Sequence, residues 1–235
     1  MNRTKKSITL IISSILLVSL AGCGRSETGN KDSDSALKAF NAIVKEYPKN
    51  KGFHSALQHW GFKLPTGDKF EWTKDTSANK VDFAMVIAAD PLIKAGLDVT
   101  KLDANKWVYK PAALEEGVNQ PNRLIKPYNA SDKKQMSNGS EDALRRILKQ
   151  DPMLIKYNKE EKHFMLMLGD GSQVHWAETL GKTTEDMEFV LNPEPLIKAG
   201  LDVNKLEGSG WKLEKAGKDD MGAFNVVLVK GYKLK

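Results

Sequence analysis

Apolar residues recur at three- and four-residue spacing at Leu37, Phe40 and Val44, and again at Leu144, Ile147 and Leu148. That spacing predicts an amphipathic helix in each place. Ser140, Glu141 and Asp142 supply a capping start for the second helix, and Pro48 and Pro152 mark where the two end. Alternating patterns follow each helix. Residues 59–64 and 69–74 flank a Pro-Thr-Gly-Asp turn, and residues 163–168 and 173–178 flank Gly-Asp-Gly-Ser, so both pairs read as hairpins. A third strand is predicted over 82–88 and 186–192. Later strands are predicted over 107–110 with 123–128, and over 211–215 with 223–232.

The two series of elements are one series written twice. Pro-Leu-Ile-Lys-Ala-Gly-Leu-Asp-Val begins at Pro91 and again at Pro195, and a shift of 104 positions aligns residues 36–131 with 140–235 without a gap. Beyond the nonapeptide the shift matches Ile43 with Ile147, Pro48 with Pro152, His59 with His163, Trp72 with Trp176, Trp107 with Trp211 and Tyr128 with Tyr232. A period of this length is a domain-sized duplication, too long for a solenoid repeat. The polar segment 132–139 reads as the linker. The expected fold class is therefore α+β. It comprises two tandem homologous units, 36–131 and 140–235, each a helix packed on an antiparallel sheet of about five strands with a short helical turn.

The nonapeptide has a local reading. Asp90 or Glu194 followed by proline is a favoured helix entry. Leu-Ile-Lys-Ala makes a turn or two, Gly96 or Gly200 suits a left-handed C-terminal position, and Leu97 or Leu201 supplies its hydrophobic contact. That geometry does not require Lys94, Lys198, Asp98 or Asp202, so capping, an inter-repeat or partner interface, and a ligand site all stay open for the block. Trp72 and Trp176 are candidate platforms for a sugar or aromatic ligand if a cleft exposes them.

Comparing the copies separates the faces of the first hairpin, because strand side chains alternate. Trp60, Phe62 and Leu64 match Phe164, Leu166 and Leu168, which makes that face core. The opposite face reads His59, Gly61, Lys63 in one copy and His163, Met165, Met167 in the other, with Glu71 standing opposite His175 in the alignment. His163, Met165, Met167 and His175 form a metal-like constellation, and imidazole with thioether suits Cu(I). Core filling by the two methionines is the alternative. No nucleophile elbow, His-Glu-x-x-His, phosphate loop or dinucleotide fingerprint occurs in the sequence.

The first residues carry an address. Arg3, Lys5 and Lys6 precede a mostly apolar run, residues 8–20, which is shorter than the roughly 20 residues a membrane-spanning helix needs. The run ends in Leu20-Ala21-Gly22-Cys23, a tetrad that resembles the lipobox of bacterial lipoprotein signal peptides. The resemblance implies cleavage after residue 22, diacylglycerol on Cys23, and palmitate or a similar acyl chain holding the mature protein to a membrane outside the cytoplasm. Two acyl chains are enough for stable anchoring. Residues 23–35 then read as a lipidated cysteine and a flexible, polar tether.

Removing the signal changes the charge argument. The whole chain carries +6, but three of its 36 basic residues leave with the signal, so 33 face 30 acidic residues and the mature chain carries +3. No dense basic cluster with interleaved aromatics remains, which argues against a nucleic-acid partner. With the only cysteine acylated, the folded part has no disulfide and no thiolate site. The expected function is a membrane-anchored, non-enzymatic binding or interaction module of the cell envelope, with its site or partner surface at the seam of the two units. The alternatives are an envelope-directed hydrolase and a Cu(I)-handling protein.

Overall fold

The computed structural model describes residues 27–55, 57–74, 82–104, 106–115, 117–128, 139–150, 155–168, 170–216 and 225–234. Cys23, the signal segment, Pro152 and all of the expected linker except Gly139 lie outside these residues. Unit 1 contains α1 (Glu27–Glu46), β1 (Lys51–His54), β2 (His59–Lys63), β3 (Lys69–Thr73), β4 (Phe83–Ala88), α2 (Asp90–Lys94), β5 (Val108–Lys110), β6 (Ala113–Glu115), β7 (Val118–Gln120) and β8 (Arg123–Tyr128). Unit 2 contains α3 (Ser140–Gln150), β9 (Ile155–Asn158), β10 (His163–Met167), β11 (Gln173–Ala177), β12 (Met187–Leu191), α4 (Glu194–Lys198), β13 (Lys212–Lys215) and β14 (Val226–Tyr232).

The architecture is α+β, with two six-stranded antiparallel sheets of the same order, β1-β2-β3-β4-β8-β5 and β9-β10-β11-β12-β14-β13. Each sheet has one strand more than the pattern predicts. The additional strand is β1 or β9, a four-residue edge strand directly after the helix, where Lys-Gly-Phe-His and Ile-Lys-Tyr-Asn carry little alternation. Helix α1 also starts earlier than the tether boundary and takes in residues 27–35. Once the packed stretch Ala36–Ile43 has formed a helix, adding polar residues to its N-terminal end costs far less than starting a new one.

Both sheets turn their aromatic rows toward one shared core. Phe62, Phe70, Trp72, Phe83, Phe164, Trp176 and Phe189 are all buried in a single continuous cluster. Phe40 of α1 sits between the sheets, edge-on to Phe62, Phe70 and Trp72 of unit 1 and to Trp176 of unit 2, at centroid distances of 5.9, 5.8, 5.6 and 5.6 Å. Such edge-to-face contacts add to the area that burial removes from water.

The units are interlocked through an exchange of helices. Helix α1 packs on α3 and on β9 and β11 of unit 2, while α3 lies against β3 of unit 1. The indole of Trp72 donates to the Ser140 carbonyl and that of Trp176 to the Ala36 carbonyl, both at 2.9 Å. These bonds exchange under the 104-residue shift, so the molecule has the contacts of a two-fold dimer in one chain.

The repeated nonapeptides meet on the same pseudo-axis. The amide of Asp98 donates to the Ala199 carbonyl and that of Asp202 to the Ala95 carbonyl, each at 2.8 Å. Gly96 and Gly200 both have φ +99°, and a Cβ on either would stand 3.0 Å from the other's carbonyl oxygen. Two constraints, a left-handed backbone and a backbone-to-backbone approach, thus require glycine here. Most of the local reading of the block also holds: α2 and α4 are short helices with proline in the first turn, but Asp90 and Glu194 lie inside them, the N-cap positions being Ala89 and Pro193 with no side-chain cap.

Two buried lysines complete the lock. Lys230 of unit 2 reaches Asp68 of unit 1 at 2.6 Å, and Lys126 of unit 1 reaches Asp170 of unit 2 at 2.8 Å. Each ammonium also lies over the tryptophan of its own unit, Lys126 at 5.4 Å from the Trp107 centroid and Lys230 at 5.6 Å from Trp211. An opposite charge and an aromatic face together offset the cost of burying each ammonium.

Candidate functional site

The outer faces of the two sheets, turned away from the helices, differ most between the units. In unit 2 this face carries His163, Met165 and Met167 on β10, with His175 directly opposite Met165 and Glu188 directly opposite His175. His163, Met165, Met167 and His175 are all buried. Nε2 of His163 is 2.9 Å from the Glu185 carbonyl, and Nε2 of His175 is 2.6 Å from Oε1 of Gln173. The two imidazole centroids are 6.3 Å apart. The strand register thus gathers the four residues singled out for Cu(I) on one face, and it adds Glu188, which sequence reasoning missed.

In unit 1 the equivalent positions are His59, Gly61, Lys63 and Glu71. The glycine puts no side chain where Met165 stands in unit 2, and a Cβ there would meet only the Glu71 side chain, 3.5 Å away. A cleft of about 440 Å³ results, floored by β1, β2 and β3 and walled by the hairpin β6–β7 with Pro121. Four lysines line it, Lys49, Lys51, Lys63 and Lys69, against one carboxylate, Glu71. His54 and His59 join them, with Nδ1 of His59 3.6 Å from Oε2 of Glu71. Phe53 and Val118 supply apolar wall and remain 38% and 57% exposed. The cleft therefore combines positive charge with unsatisfied apolar surface, the pairing expected of a ligand pocket with a few placed polar groups.

The hairpin wall is tied down at two points. Arg123 on β8 holds Glu115 with both guanidinium arms, at 2.9 and 2.5 Å, and Lys69 reaches Oε1 of Gln120 at 3.4 Å. The Arg123 bonds keep the Glu115 carboxyl below its ordinary range, despite some desolvation. Bidentate pairing of this kind fixes geometry as well as charge.

The remaining candidates fall elsewhere. Trp72 and Trp176 are 1% and 0% exposed and belong to the shared core. Asp98 and Asp202 start the short 3-10 turns Val99–Lys101 and Val203–Lys205, their carboxylates accepting from the Thr100 and Asn204 amides at 3.0 and 3.1 Å. The Thr100 hydroxyl and Lys101 hold the Asp98 carboxyl low, and the Asn204 amide and Lys205 do the same for Asp202. Lys94 and Lys198 are exposed beside the seam, Lys198 paired with Glu194 at 2.6 Å. Among the described residues no helix is long and apolar enough to cross a membrane.

No protein-family model matches the chain, and no curated protein or solved structure matches it significantly.

Proposed function

We propose that this chain is a membrane-anchored extracytoplasmic lipoprotein, held by diacylglycerol on Cys23, that works as a non-enzymatic binding module of the cell envelope. Its ligand is anionic with an apolar part and enters the cleft of unit 1. The observation that carries this reading is the asymmetry of the outer sheet faces. Gly61 and Lys63 open and charge one face, where Met165 and Met167 occupy the other. The seam between the units, where the sequence led us to expect the site, is packed backbone against backbone at Gly96 and Gly200, which favours the outer face. The lipobox supports the anchor.

A hydrolase is the second reading, favoured by the His59–Glu71 pair at 3.6 Å inside the cleft. A histidine oriented by a carboxylate is the usual general base. Among the described residues no serine, threonine or cysteine lines the cleft, so in this reading the base would act on a bound water.

Calorimetric titration of the purified full chain with 1-naphthyl phosphate tests the binding reading. Saturable binding is expected that weakens as salt is raised, since exposed charges are screened, and that is lost in Gly61→Met/Lys63→Met. Undiminished binding by that double variant would remove the cleft from consideration. Catalytic release of phosphate, abolished by His59→Ala, would replace the binding module with the hydrolase. Incorporation of an alkyne-tagged palmitate that survives Cys23→Ala would contradict the anchor.

A further inference from the structure

Unit 2 holds a second site, independent of the cleft. Glu161, His163 and Glu188 each place one ligating atom within 4.8 Å of the other two. They border a pocket of about 480 Å³ that opens between the turn preceding β10 and residues 182–184. We propose that this trio is a binding site for a divalent transition-metal ion of the Zn²⁺ type, with His163 Nδ1 and the carboxylates of Glu161 and Glu188 as protein ligands.

The imidazole carries the argument. His163 is 4% exposed, and its Nε2 lies 2.9 Å from the Glu185 carbonyl. A carbonyl can only accept, so Nε2 bears a proton, and in the neutral ring Nδ1 keeps its lone pair. That Nδ1 is buried and has no hydrogen-bond partner. A buried acceptor left without a donor costs free energy, and a cation shared with the two carboxylates would satisfy it. Backbone capture of the distal N–H is also the usual way a protein orients a metal-binding histidine.

The carboxylates are held from different elements. Glu188 projects from β12, with His175 Nδ1 3.3 Å from its Oε2. Glu161 lies in a turn pinned by Asn158, whose Oδ1 accepts from the amides of Glu160 and Glu161 at 2.9 and 3.1 Å. Lys162 and Lys182 stand on the rim and are exposed. One nitrogen and two oxygens suit Zn²⁺ with water or a partner's atom in the fourth position. They do not suit Cu(I), which favours the sulfur of Met165 and Met167. Unit 1 has Leu57 and Ala84 where unit 2 has Glu161 and Glu188, so the site arose in one copy only.

The test is calorimetric titration of the chelator-stripped full chain with Zn²⁺, repeated with Co²⁺ as an absorption probe. One ion per chain is expected, with visible Co²⁺ bands and no sulfur-to-cobalt charge transfer. Glu161→Gln, at an exposed position, should weaken Zn²⁺ at least tenfold with an unchanged melting temperature of the metal-free chain, and His163→Ala should abolish the site. Met165→Leu should change nothing. Zn²⁺ binding that is absent, or indifferent to Glu161→Gln, overturns the site. Tighter Cu(I) than Zn²⁺ binding that depends on Met165 overturns it in favour of a thioether centre.

Discussion

At the scale of single residues, duplication has divided one task in unit 2 and concentrated it in unit 1. Asp68 accepts the Ala88 amide and the Thr66 hydroxyl while pairing with Lys230 and Tyr232 across the units. Burial, reinforced by the Asp68 charge, pushes the Tyr232 phenol well above its ordinary range. In unit 2 the same tasks fall to two residues, Ser172 for the Asn192 amide and Asp170 for Lys126. Asp68→Asn should therefore destabilise the protein by about 3–5 kcal/mol, the usual consequence of stripping a buried cation of its partner. Asp170→Asn should cost less, since its carboxylate is partly exposed. Denaturant unfolding of the two variants checks the order, and a larger loss for Asp170→Asn would contradict it. None of this pairing could be read from the chain. Asp68 aligns with a serine and Asp170 with a threonine, so the shift that reveals the repeat hides the exchanged partners.

Among the elements, the nonapeptide shows what a sequence can and cannot convey. Its proline and glycine announced a short helix with a left-handed end, and that is what α2 and α4 are. The unbroken identity of nine residues has a second cause, because each copy is the other's packing partner. Gly96→Ala should cost at least about 1 kcal/mol from the backbone conformation alone, and more from the approach of the Gly200 carbonyl. Adding Gly200→Ala should not double the loss, since both changes disturb one contact. Strictly additive melting shifts would place the two glycines in separate environments.

The hairpin β6–β7 was not legible, since residues 111–122 have no regular alternation and, apart from Ala112 with Ala216 and the acidic pairs Glu115 with Asp219 and Glu116 with Asp220, share no residue type with the second copy. Its tether makes a pH prediction. The Glu115 carboxylate is held below its unfolded value near 4.5, so its contribution is present above that value and is lost as pH falls through the lower folded value. Hydrogen exchange in β6 and β7, corrected for intrinsic rates, should be constant between about pH 7 and 5. It should quicken toward about pH 3, and Glu115→Gln should remove the change. Protection that persists unchanged at the lower pH would mean that Arg123 does not secure the wall.

For the whole molecule, the interlock implies one cooperative unit. The helical pattern and the 104-residue register predicted helices on sheets, yet they could not say whose sheet, because exchanged and unexchanged packing bury the same residues. With α1 on β9 and β11 and α3 on β3, neither unit can close its core alone. Thermal unfolding of the full chain should give a single transition, with calorimetric and van't Hoff enthalpies that agree. Two resolved transitions would show independent domains. The candidate site was half legible. Alignment exposed the divergence at positions 61, 63, 165 and 167 and drew attention to the methionines. The open cleft lies where side chains are missing, walled by a hairpin some 50 residues further along, and a list of residue types does not display a void.

The functional asymmetry of the molecule rests on the divergence of its two outer faces, and nitrogen–proton shift mapping of the 1-naphthyl phosphate complex tests it most directly. Perturbed amides are expected in β1, β2, β3 and β7, with their counterparts in β9, β10 and β11 unmoved. Equal perturbation of both faces, or shifts centred on residues 95–98 and 199–202 at the seam, would contradict it.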